Sequence, residues 1–250
     1  METMAVKQIR DHIPLSREYD FANLDLIREE WKKEAAKIKS FRVAIPGNIM
    51  SETHFHRYLE GFGAVAMIKQ GDSSMFCIDD NNRAIIRNLY LYTIYDDKCE
   101  WNLDKGILLT GSIGTGKSVL MHAYTMILQK FAESEYGQKL GVKTFKFEPA
   151  QDIFNEIVAN SGKLPLRLIN SGLAIDELGR EPKKSNSYGN EMNPLIDLLL
   201  NRYSNGRLTF GTSNFNLIDL SDPSNYGPVV GDRFKSMFNF IVMTGYSRRK

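Results

Sequence analysis

The 250-residue chain is predicted to fold as an α/β protein, a five-stranded parallel sheet with helices on both faces, preceded by a small N-terminal domain. Three observations predict it. Beyond residue 105, short and almost wholly apolar runs alternate with longer stretches of helical periodicity. A glycine-rich turn joins the first of those runs to the helix after it. The composition, 42% hydrophobic and 25% charged, is that of an ordinary globular chain long enough to bury a sizeable core.

The same arithmetic excludes several classes. With 32 Lys and Arg against 30 Asp and Glu, the formal net charge is +2, so any contact with nucleic acid must come from a local patch. The two cysteines, Cys77 and Cys99, lack CxxC spacing; they offer no disulfide framework or cysteine zinc site and suit a reduced cytoplasm. No stretch approaches the ~18 apolar residues of a membrane helix. Met1 to Arg10 lacks the apolar core of a signal peptide, so a cytoplasmic location and no membrane contact are expected.

In chain order, Leu24, Ile27, Trp31, Ala35 and Ile38 recur three or four apart, a helical stripe over residues 23–39 with Asn23 as its cap. Pro46-Gly47 breaks the chain. Ala64–Lys69 and Met75–Asp79, separated by Gln70-Gly71-Asp72-Ser73-Ser74, are predicted to pair as a hairpin. Asp80-Asn81-Asn82 cap a helix through Tyr95 that turns Ile86 and Leu89 or Tyr90 inward. Gly106–Thr110 is a buried strand and Lys117 to about Ala132 a helix. Val142–Phe147 is the second strand, and residues 149–152 open the next helix. Leu173–Ile175 forms a strand ending at Asp176, Glu191–Tyr203 a helix and Leu208–Gly211 a strand. Arg233–Phe238 forms a short helix and Phe240–Thr244 the last strand. The elements thus divide near residue 80 into an N-terminal region, 1–80, and an α/β domain, 81–250.

The run Gly111-Ser112-Ile113-Gly114-Thr115-Gly116-Lys117-Ser118 fits G-x-x-x-x-G-K-[ST] between a strand and a helix, the context that this phosphate loop requires. Glycines allow the tight turn that aims successive N–H groups into one concavity, and the positive end of the following helix adds its field. Lys117 would reach the β- and γ-phosphates of ATP, and the Ser118 hydroxyl would ligate Mg²⁺. Val119 follows in the first helical turn.

Leu173-Ala174-Ile175-Asp176-Glu177 sets two carboxylates at the end of an apolar strand. Asp176 would hold Mg²⁺ directly or through water. Glu177 would take a proton from the attacking water. In Phe210-Gly211-Thr212-Ser213-Asn214, Asn214 would help position that water. Nucleotide kinases need neither Glu177 nor Asn214, so their joint presence points to hydrolysis.

These residues, in the order KGILLTGSIGTGKS, LAIDELGRE, NPLIDLLLNRY, TFGTSN and YGPVVGDRFKSMFNFIVMTGYSRR, resemble an AAA+ P-loop ATPase of the DnaC/DnaI helicase-loader clade, which includes the IstB-like transposition helpers. The resemblance spans roughly residues 80–250 and is nearest to phage- or prophage-type loaders. It implies Walker A at Lys117 and Ser118, Walker B at Asp176 and Glu177, and sensor 1 at Asn214. It also implies that Arg233 enters a neighbouring subunit's site, and that one of Arg248 and Arg249 senses the γ-phosphate. Two departures stand out. Val229 occupies the place where many loaders carry a further arginine, and only six residues follow Thr244, so no helical lid is expected.

What the resemblance implies is an ATP-dependent protein that self-assembles, binds single-stranded DNA and docks a DnaB-type replicative helicase through its N-terminal region. A transposition helper ATPase is the alternative. A small-molecule kinase would need an arginine-rich lid that the sequence does not show. His54 and His56 are read as ordinary histidines. Tyr90, Tyr92 and Tyr95 are read as packing or as a wall for adenine, and the scattered methionines as packing.

Overall fold

The computed structural model describes residues 45–72, 74–142, 144–183, 185–187 and 190–248, together with Glu29. The stripe expected over residues 23–39 lies outside the described residues apart from Glu29.

Ser51 caps the first helix, α1 (Glu52–Lys69), its hydroxyl accepting from the His54 N–H. Its buried positions, Phe55, Leu59, Gly63 and Ala66, step by three or four, a helical period running through the segment expected as a hairpin strand. That expectation is therefore corrected: Ala64–Lys69 completes a helix, and Met75–Asp79 forms no strand among the described residues. A Cβ on Gly63 would lie 2.5 Å from the Phe76 ring, so glycine there lets the following loop press against α1. Helix α2 (Arg83–Thr93) is preceded by Asn82, whose side chain binds the loop before it, accepting from Asp79 N–H and donating to Cys77 C=O.

The alternating units follow. Strand β1 (Gly106–Thr110) leads through the glycine-rich turn into α3 (Lys117–Glu133), and a short α4 (Glu135–Leu140) precedes β2 (Phe145–Pro149). Then come α5 (Ala150–Ala159), α6 (Leu166–Asn170), β3 (Gly172–Asp176) and a small antiparallel pair, β4 (Ser185–Ser187) and β5 (Asn190–Met192). Helix α7 (Pro194–Ser204), β6 (Thr209–Ser213), α8 (Leu217–Ser221), α9 (Gly227–Met237) and β7 (Phe238–Val242) complete the order. Helix α7 starts at Pro194 rather than Glu191 because residues 190–192 are taken into β5. Strands β2, β6 and β7 begin where their backbone pairing starts, at Phe145, Thr209 and Phe238, which shifts each by one to three residues from expectation. Elements α4, α6, α8, β4 and β5 have three to six residues each, too short to carry a period.

All five long strands run parallel in the order β2-β3-β6-β1-β7, with helices on both faces as expected. Alternate residues face opposite ways. Ile107, Leu109, Ala174 and Phe210 join the core under α1, α2 and α3, whereas Leu108, Leu173 and Ile175 join the core under α5 to α9. Ile45, Met50, Phe55, Leu59 and Phe76 belong to the first of these cores, so residues 45–80 are part of one compact unit with the strands. A division at residue 80 does not follow this packing.

Arg202 in α7 is fully buried. Its guanidinium donates to the carbonyls of Leu168, Ser171 and Leu208 and to the Thr209 hydroxyl, tying the end of α6 to the entries of β3 and β6. Burial lowers its pKa to about 9, with Arg207 contributing less. Replacing it strands several buried carbonyls, so Arg202→Met is expected to lose roughly 3 kcal/mol of stability, read as a lower urea midpoint.

Candidate active site

Parallel register brings the ends of β1, β3 and β6 to one edge of the sheet: Thr110 pairs with Ser213, and Ile175 with Gly211. The carboxyl edge of such a sheet is where ligands bind. β6 lies between β1 and β3, so its polar end, Thr212 to Asn214, separates the phosphate loop from the acid pair.

In the loop, Gly111, Gly114 and Gly116 all have positive φ, at 133°, 86° and 93°. A Cβ on Gly111 would come within 2.3 Å of the Met243 carbonyl, and one on Gly114 within 2.3 Å of Ser247 Oγ. Both glycines thus serve the turn and the close approach of the C-terminal segment. The Lys117 ammonium, nearly buried, donates to the carbonyls of Gly111 at 2.8 Å and Ser112 at 2.7 Å. Thr115 Oγ1 donates to the Ser112 carbonyl.

Asp176 accepts hydrogen bonds from the hydroxyls of Thr212 and Ser118. Burial is the largest influence on its carboxyl and raises the pKa; the two hydroxyls pull it back, and the neighbouring Glu177 adds to the rise. The Ser118 hydroxyl beside this carboxylate is a hard-oxygen donor set of the kind Mg²⁺ takes, with phosphate and water supplying the rest. Among the described residues no group of three His, Cys, Asp or Glu side chains gathers.

Glu177 has φ 57°, left-handed for a non-glycine residue, and its N–H donates to Thr212 Oγ1 at 3.0 Å. One hydroxyl therefore holds both acids: it donates to Asp176 and accepts from the Glu177 backbone. The sequence reading missed Thr212, although the polar end of β6 carried the signal. Also missed was Arg180, whose Nη1 lies 2.6 Å from Glu177 Oε1.

A cavity of about 410 Å³ joins these parts. Residues 113–119 of the loop and helix, including Val119, form one wall, and Glu177, Thr212 and Asn214 another. Its remaining sides are Met243, Arg248, Asn82 and residues from Met67 to Cys77. Arg248 hands its backbone N–H to the Gly114 carbonyl at 2.8 Å, and its guanidinium clasps both oxygens of Asp79 at 2.8 Å. That contact is the main cause holding the Asp79 carboxyl below its ordinary range. Arg249 lies outside the described residues. Arg233 does not line the cavity; it sits on α9, 3.9 Å from Asp232 and 5.2 Å above the Tyr203 ring. Tyr90 and Tyr92 are buried in the core and Tyr95 bonds to Asp104, so none of the three forms an adenine wall.

Because the folded pKa of Asp176 is raised, the metal-free protein loses stability as pH climbs through that pKa and recovers it in acid. Without Mg²⁺, Asp176→Asn is expected to melt above wild type at pH 7, the gap closing as pH falls below the ordinary carboxylate range. A pH series of thermal melts in EDTA measures it; a variant that melts lower at every pH contradicts the assignment.

No protein-family profile matches the chain, and no curated protein sequence matches it. Among solved structures the chain is similar to DnaI, at 22% identity and TM-score 0.46 over 71% of this chain and 89% of that one. It is similar to the DnaC helicase loader at 22% identity and TM-score 0.47, over 68% and 93%. It is similar to AMPPCP-bound DnaA from Aquifex aeolicus at 16% identity and TM-score 0.46, over 69% and 50%. At identities this low, these are likenesses of fold.

Proposed function

We propose that the chain is a Mg²⁺-dependent ATPase that loads a DnaB-type replicative helicase onto single-stranded DNA, with ATP hydrolysed between its own copies. The observation that carries the chemistry is the single cavity shared by the phosphate loop, Glu177, Thr212 and Asn214. The loop's N–H groups and the α3 N-terminus hold the phosphates. Lys117 exchanges its two loop carbonyls for phosphate oxygens, a short swing from its present position. Ser118 and Asp176 hold Mg²⁺, which when bound offsets the charge of the β- and γ-phosphates. Glu177, placed by the Thr212 hydroxyl, takes the proton of the attacking water once Arg180 releases its carboxylate. Asn214 orients the same water. Arg233, outside its own chain's cavity, is free to serve a neighbour's γ-phosphate.

The loading role rests on the ordered motif series and on the partner binding that the resemblance implies. Full-length protein with a purified DnaB-type hexamer and labelled single-stranded DNA tests it. Helicase retained on the DNA only when ATP and this protein are both present supports the proposal. ATP turnover with no helicase retained removes the loading role, and retention of a purified transposase in a parallel assay instead favours the transposition helper. Glu177→Gln should keep ATP affinity while turnover falls by about a hundredfold or more, whereas Lys117→Ala should lose binding itself.

A further inference from the structure

Glu181 lies four residues beyond Glu177 and is only 3% exposed. Its Oε2 accepts the Gly179 N–H at 3.0 Å, and its Oε1 accepts the Tyr226 hydroxyl and the Lys183 ammonium. The Gly179 N–H is shared with the Tyr226 oxygen at 3.0 Å, and Lys183 also reaches the Gly179 carbonyl at 2.9 Å and stands 4.5 Å over the Tyr226 ring. A buried carboxylate tolerates such a place only when its oxygens are satisfied, and here they are. The cluster joins two segments: the loop that leaves β3 with the acid pair, and Tyr226, the residue that caps α9.

Both ends of the cluster lead to predicted site residues. On one side, Glu177 and Gly179 are both left-handed, at φ 57° and 100°, so they form one constrained turn. A Cβ on Gly179 would meet the Phe215 ring at 2.6 Å, which leaves the turn no other course. On the other side, the Tyr226 ring packs edge-on against Phe234 at 5.4 Å, and Phe234, fully buried, follows Arg233 on α9. Burial pushes the Tyr226 hydroxyl well above its ordinary pKa, which keeps it a donor.

We propose that Glu181 and Tyr226 are positioning residues that lock the loop carrying Glu177 to the helix carrying Arg233. The state of one subunit's own site then sets how its Arg233 is offered to the next. This rests on the proposed function, in which Arg233 acts on a neighbour. A displacement of Glu177 moves Gly179, whose N–H is held by both acceptors, and the rigid Tyr226–Phe234 contact passes it to α9.

The test is a double-mutant cycle in steady-state ATPase of the assembled full-length protein. Tyr226→Phe removes the hydroxyl and keeps the ring on Phe234. It is expected to lower kcat about tenfold with KM for ATP within about twofold, since it misplaces groups without removing a nucleotide contact. Combined with Arg233→Ala, it should be no slower than Arg233→Ala alone, because both act through the same arginine. A purely structural tyrosine would instead slow both backgrounds by the same factor, and that result overturns the coupling alone. Wild-type kcat in both Tyr226→Phe and Glu181→Gln also overturns it. Wild-type kcat in Arg233→Ala overturns the trans role in the proposed function, and the coupling with it. If Tyr226→Phe does not fold, Glu181→Gln carries the same cycle.

Discussion

The Asp176 carboxylate, half-buried at the end of β3 and held by the hydroxyls of Ser118 and Thr212, is the contact on which the rest of the molecule turns. It requires three strand ends to meet: β3 for the acid, β6 for Thr212, and β1 to launch the loop that delivers Ser118. A parallel sheet with β6 between β1 and β3 meets that requirement. An open carboxylate at a strand end would find water. This one is left with hydroxyl donors and a raised pKa, a local cost that a bound cation relieves. The same hydroxyl that serves Asp176 fixes the backbone of Glu177 in a conformation that a side-chain-bearing residue seldom adopts. Strain and partial burial converge on two neighbouring residues at the carboxyl edge of the sheet, and the second of them, Glu177, lines the cavity.

Much of this could be read from local sequence. Gly106–Thr110 is buried at every position, as an apolar run between two turn signals demands. The phosphate loop announces itself because its spacing is imposed by backbone geometry alone. Helix α1 was not legible, for a tertiary reason. Gly61 and Gly63 weaken the helical signal and leave Ala64–Lys69 looking like a short strand, yet Gly63 exists to admit the Phe76 ring. Arg202, Thr212 and Glu181 were equally silent. Each acts through partners that only the fold brings near: Arg202 through carbonyls as far as 34 positions away, Thr212 through an acid 36 positions away, and Glu181 through a tyrosine 45 positions away. The Arg248–Asp79 clasp spans 169 positions, so nothing in either local segment could name the other.

That clasp alters the meaning of the region before β1. Residues from Met67 to Cys77 line the cavity, Asn82 braces them, and Asp79 receives the arginine that the C-terminal segment carries across the phosphate loop. The stretch expected to belong wholly to a partner-binding region therefore contributes in part to the cavity beside the phosphate loop. Its two attachments differ in strength. The Gly63–Phe76 contact is buried packing, costly to undo, while the Arg248–Asp79 pair is partly exposed and of the kind that exchanges cheaply for another anion. Under the proposed function, a phosphate arriving at the loop would compete with Asp79 for Arg248 and leave the core beneath undisturbed.

Arg233 obeys the same logic from the other side. Its guanidinium is almost half exposed, 3.9 Å from Asp232 and 5.2 Å from the Tyr203 ring, with the aromatic face supporting it and the carboxylate too distant to bind it firmly. Compare Arg202, one helix away, which spends its donors on buried carbonyls and could leave only by unfolding that corner. Two arginines of equal charge are thus held with unequal force. The one held weakly belongs to a helix fixed by Phe234 and Tyr226, so the charge is mobile while its base is rigid. If Arg233 serves a second molecule's phosphate, as proposed, rigid placement of a loosely held cation suits that task, because the helix sets direction and the side chain needs little energy to depart.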